Sequence, residues 1–131
     1  MFRIGFLVVI VFLVNGILYS CNQIKKESEL PRLIKEGAVL IDVRTNEEFS
    51  EGSVNGAINI PVHLLQYNIE KLPTDKHIIV FCKSGNRAGK AKKILEENSI
   101  TDVTNGGSWQ NVQKALDKTE SEMEPEKEIV K

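Results

Sequence analysis

The sequence predicts an α/β layer fold built on a mostly parallel sheet. Three observations predict it. Short apolar runs alternate with segments of helical period, the order of strand–helix–strand units. Two runs, residues 38–43 and 77–81, are apolar at nearly every position rather than every second one, as strands buried on both faces must be. The 131 residues are 41% hydrophobic and 27% charged, which suits one ordinary globular domain.

Each element has a local cause. Residues 29–36 place Leu30, Leu33 and Ile34 at helical spacing, with Pro31 tolerable in the first turn, and Gly37 ends the helix. Residues 38–43 form the first buried strand. Thr45 or Asn46 caps a short helix through Phe49, with Glu47 and Glu48 favourable in its first turn. Gly52 and Gly56 punctuate a turn before a strand at 57–60, which Pro61 stops. Leu64, Leu65, Ile69 and Leu72 give residues 63–72 a helical period, and 73–75 form a loop. Residues 77–81 are the strongest strand, uniformly apolar and β-branched, with Cys82 at its end. Residues 87–98 form a helix with Ala88, Ala91, Ile94 and Leu95 on one face. Val103 lies in a brief strand before Asn105-Gly106-Gly107, and 109–116 form a last short helix. Residues 118–131 are Glu/Lys-rich and read as a disordered tail.

The first 20 residues read as an address. Arg3 is the only charge before Lys25, and residues 4–14 are apolar but too short for a bilayer span of about 20 residues. Leu18-Tyr19-Ser20-Cys21 resembles a bacterial lipobox, in which the Cys is acylated and the chain is cut before it. The expectation is a signal peptide at 1–20, a polar tether at 21–28, and a domain at 29–117. It places the protein outside the cytoplasm, held to the bacterial cell envelope by lipid on Cys21, at a periplasm-facing or outer membrane.

Composition excludes several functions. With 17 basic and 18 acidic residues the formal net charge is -1, which disfavours nucleic acid as a partner. Two cysteines cannot staple a disulfide-rich mini-protein, and no Cys/His spacing suggests a metal. The informative segment is Cys82-Lys83-Ser84-Gly85-Asn86-Arg87, between a buried strand and a helix. Ligands of open α/β sheets bind at the carboxyl ends of strands. Small residues let backbone N–H groups converge, and the following helix start adds partial positive charge. Lys83 and Arg87 add formal charge. All of this favours a thiolate nucleophile at Cys82. Two chemistries fit: attack on phosphorus, as in a Cys-based phosphatase or arsenate reductase, and attack on a sulfane sulfur. Cys-based phosphatases use a longer loop between Cys and Arg; the shorter one here suits a single sulfur atom.

The ordered set of motifs resembles the single-domain rhodaneses. Asp42-Val43-Arg44 followed by Glu48-Phe49 is similar to one family segment, and residues 52–61 to another. Residues 80–88 resemble the active-site loop, and Asn105-Gly106-Gly107 with Trp109 a late Gly-Gly…Trp element. Ser53 stands where the family usually has His, and Trp109 comes closer to the Gly pair than is common. The resemblance implies a three-layer rhodanese-like fold, its sheet flanked by helices, and a sulfurtransferase with no cofactor. Cys82 takes sulfur from a small anionic donor (thiosulfate, polysulfide or persulfide) as a persulfide and yields it to a thiol or cyanide. Lys83, Ser84, Gly85, Asn86 and Arg87 bind the substrate; Asp42 and Arg44 support the site. A non-catalytic persulfide carrier, or sulfur-relay module, shares the same loop and stays open as the alternative.

Overall fold

The computed structural model describes residues 28–124. Helix α1 (Leu30–Lys35) precedes β1 (Val39–Asp42), then α2 (Asn46–Glu51), β2 (Ile58–Asn59) and α3 (Val62–Leu65). A 3-10 helix (Gln66–Lys71), β3 (Ile78–Cys82), α4 (Asn86–Glu97), β4 (Val103–Ser108) and α5 (Trp109–Met123) complete the chain. The four strands form one sheet in the order β2-β1-β3-β4, and every pairing is parallel. This is the sheet the apolar runs require.

Strand β3 shows why both faces must be covered. Ile78, Val80 and Cys82 pack with Leu65, Ala88, Ala91 and Leu95, from α3 and α4. Ile79 and Phe81 point the other way, onto Leu30, Leu33, Val112 and Ala115, from α1 and α5. Helices thus cover the sheet on both sides, giving three layers. After β1 the chain moves out to β2; β3 then pairs on the opposite side of β1. The connections leaving β1 and β3 therefore run to opposite sides of the sheet, the switch point at which ligands of open α/β sheets bind. Cys82 ends β3 there.

Strand β4 carries an irregularity beside it. Val80 pairs with Asn105, but Cys82 pairs with Ser108, so β4 holds an extra residue there. Gly106 sits within it against Val112 and Ile79: an added Cβ would lie 2.6 Å from one side chain and 3.0 Å from the other.

Three elements depart from expectation. Strand β4 does not stop before Asn105-Gly106-Gly107 but runs through them to Ser108, its bulge absorbing the extra residue. Residues 63–72 are not one helix but a single α turn followed by a 3-10 helix. Within this stretch Asn68 Nδ2 donates to the Leu64 carbonyl at 2.9 Å. The last helix does not stop at Leu116; it continues to Met123, so residues 118–123 are not a disordered tail. Thr119 is buried on α1, and its Oγ1 donates to the carbonyls of Ala115 at 2.9 Å and Pro31 at 3.3 Å. The apolar period ends at Leu116, and a polar residue carries the contact onward.

Candidate active site

The end of β1 is held by a buried charge cluster. Asp42 is fully buried, and Arg44, 5% exposed, grips it with Nε 3.0 Å from both carboxylate oxygens and with NH2 2.7 Å from Oδ2. Two further donors complete the shell: the Arg44 backbone N–H at 2.9 Å and Ser53 Oγ at 2.6 Å. Arg44 also donates to the Gly52 carbonyl, and its guanidinium lies 5.3 Å from the centre of the Trp109 ring. Asn59 Nδ2 donates to the carbonyls of Asp42 and Arg44. A carboxylate with this many donors fixes the path of the chain; it has no lone pair left for chemistry.

At β3, Cys82 is 1% exposed as a residue, and the Gly85 N–H donates to its Sγ at 3.0 Å. Burial alone pushes the thiol pKa up. The N–H groups of Ala88, Ser84, Gly85 and Arg87 outweigh it, and the net shift is downward. The helix start explains why those donors are available. Helices α2 and α5 are capped by the side chains of Thr45 and Ser108, whereas α4 starts at Gly85 with no side-chain cap. The sulfur of Cys82 faces the donors a cap would otherwise take. Gly85 has φ +98, a left-handed conformation that suits glycine, and an added Cβ would lie 3.4 Å from Gly107 Cα.

The remaining loop residues divide. Lys83, Ser84 and Asn86 are exposed on the rim. Arg87 does not aim its guanidinium at the sulfur: it forms a double hydrogen bond to Glu48, at 2.6 and 3.0 Å. The Arg87 bond, followed by the Thr45 N–H, lowers the Glu48 pKa to about 2. Glu48 thus closes the capping box of α2 and anchors the start of α4. The sequence credits Glu48 with favouring a helix start and with a place in a family-like segment, and not with a tie to Arg87. A cation at a helix N-terminus opposes the dipole, and that signal asks for an acidic partner of Arg87. Asn59 and Asn105 carry no such signal. Cys21 lies outside the described residues. Among the described residues no group of His, Cys, Asp and Glu is placed to hold a metal ion, and no helix is long and apolar enough to cross a membrane.

Comparison with known proteins agrees with this geometry. The family model of the rhodanese-like domain matches residues 26–126. A sulfurtransferase of Allochromatium vinosum is 32% identical over 85 residues, covering 64% of this chain and 79% of that protein. The thiosulfate sulfurtransferase PspE of Escherichia coli is 38% identical over 74 residues, covering 55% of this chain and 71% of its own. Among solved structures, the human single-domain sulfurtransferase TSTD1 superposes with a TM-score of 0.59 at 26% identity, covering 76% of this chain and 95% of that one. The chain belongs to the rhodanese-like family. Its sulfurtransferase relatives support sulfur transfer as its general activity.

Proposed function

We propose that the protein is a rhodanese-type sulfurtransferase of the thiosulfate:cyanide class, acting through a persulfide on Cys82. The Cys82 thiolate attacks the outer sulfur of thiosulfate; the S–S bond breaks and sulfite leaves with the bonding pair. A thiol or cyanide then attacks the outer sulfur of the persulfide, and Cys82 leaves as thiolate. The two half-reactions share a covalent intermediate, so ping-pong kinetics are expected. The observation that carries the reading is the uncapped start of α4, whose N–H groups lower the Cys82 pKa and face the same point. Such donors stabilise an anionic sulfur before and after loading. The lipobox-like stretch ending at Cys21 supports an exported, lipid-anchored enzyme facing the periplasm or sitting on the outer membrane.

The test incubates the full chain and a Cys82→Ser variant with thiosulfate, with peptide-level masses recorded before and after cyanide. The wild type gains one sulfur on the Cys82 peptide and releases it as thiocyanate; the variant does neither. Failure to load from thiosulfate or polysulfide rejects the reading. Loading followed by slow discharge to cyanide and small thiols turns it toward a carrier. Incorporation of labelled fatty acid that disappears in Cys21→Ala tests the anchor.

A further inference from the structure

We infer that Asn105 is a positioning residue for the nucleophile: it holds Gly85 so that the Gly85 N–H stays on the Cys82 sulfur. Asn105 is the last residue of β4 in regular register with β3, paired with Val80, and the extra residue of β4 follows it. Bulges next to a site re-aim side chains. Here the Asn105 amide reaches back over the loop, and Nδ2 donates to the Gly85 carbonyl at 3.0 Å. Its Oδ1 accepts the Gly107 N–H at 2.9 Å, which fixes which end of the amide faces Gly85.

Gly85 is the pivot of the loop. Its N–H donates to Cys82 Sγ at 3.0 Å, and its carbonyl accepts the first helical bond, from the Gly89 N–H at 2.9 Å. A glycine free of other restraint samples many conformations. Asn105 fixes the peptide on one side of the Gly85 Cα, and Gly107 lies where a side chain on Gly85 would point, its Cα 3.4 Å from the place of a Cβ. The left-handed φ of +98 that turns the N–H to the sulfur is therefore held from β4. Asn105 touches neither the sulfur nor a substrate position. It acts on the thiolate through the backbone.

The inference rests on Cys82 being the nucleophile, and its test reads the thiolate without sulfur transfer. The pH dependence of iodoacetamide alkylation at Cys82 is followed on the full chain by peptide mass, for wild type, Asn105→Ala and Asn105→Leu. Leu resembles Asn in shape, adds no charge and keeps neither hydrogen bond. The charged side chains of the loop and of the cluster beside it (Lys83, Arg87, Asp42, Arg44 and Glu48) are unchanged in both. In both variants the alkylation midpoint moves to higher pH, and the rate below the wild-type midpoint falls about fivefold, the worth of one hydrogen bond. Thermal melts run alongside. A folded variant that keeps the wild-type midpoint overturns the inference. Two variants that fail to fold overturn it as well, because Asn105 then serves the sheet. A wild type that alkylates at low pH but never loads sulfur refutes the sulfurtransferase reading and leaves this one standing.

Discussion

Arg87 separates two ideas of how the loop works. The sequence makes it a substrate contact; the geometry commits it to Glu48. The deciding perturbation is the cycle of Arg87→Met, Glu48→Gln and the double variant. The two bonds are 2.6 and 3.0 Å long, and the side chains are 32% and 30% exposed. Exposed ion pairs contribute about 0.2–1 kcal/mol; a forked, partly desolvated one stands near the top of that range. The coupling expected at pH 7 is about 1 kcal/mol, close to a fivefold change in the folding equilibrium. Urea unfolding of the four proteins measures it. The pH dependence has a definite sign. Glu48 has its folded pKa lowered from 4.5 to about 2, so its stabilisation is fully present above 4.5 and is lost as pH falls through about 2. The coupling therefore shrinks across that window. Additivity within about 0.3 kcal/mol at pH 7 refutes the pairing. So does an Arg87→Met variant whose stability is unchanged but whose thiosulfate KM rises many-fold, since Arg87 then meets the donor.

Two further perturbations test the frame. Arg44→Met strands the carboxylate of Asp42 in a fully buried position and is expected to cost about 3–5 kcal/mol, read as a fall in the urea midpoint; a loss under about 1 kcal/mol rejects the buried cluster as the lock on β1. Thr119→Val removes the hydroxyl that reaches Pro31 and Ala115, and is expected to lower stability by about 1 kcal/mol; an unchanged melt places residues 118–123 outside the cooperative unit.

The sheet was legible because its cause is local. Ile78 to Phe81 are apolar without alternation, and only a strand covered on both faces tolerates that. Thr45 or Asn46 with acidic residues after it marked the start of α2; the structure selects Thr45 and adds a capping box with Glu48. The place of Cys82, at the end of a buried strand and before a helix, was legible because the apolar run stops there and Gly85 breaks the chain before the helical period begins. The pairing partners were not. Glu48 meets Arg87 across 39 residues, and Asn105 meets Gly85 across 20. Such contacts depend on where β1, β3 and β4 lie side by side, and no periodicity encodes that. The end of α5 was missed for a related reason: Thr119 packs by hydrogen bonding, and a hydrophobic pattern is blind to it.

With Arg87 neutralised by Glu48, the charge balance of the loop changes character. Lys83, exposed on the rim, is the loop's other cation, and the attraction for an anion comes chiefly from backbone N–H groups that converge on the Cys82 sulfur. Dipoles at short range reward an atom that sits among them and do little for charge a few ångströms away. In the proposed reaction the terminal sulfur of thiosulfate and that of a persulfide present the reacting atom in the same place, so an N–H cradle treats them alike. On the proposed reaction, discrimination between donors falls to what surrounds the cradle: the exposed Lys83 for the charge on the departing group, and the exposed Ser84 and Asn86 for its size. On that reading the cradle serves the transfer of sulfur, and the exposed rim governs from whom it is taken.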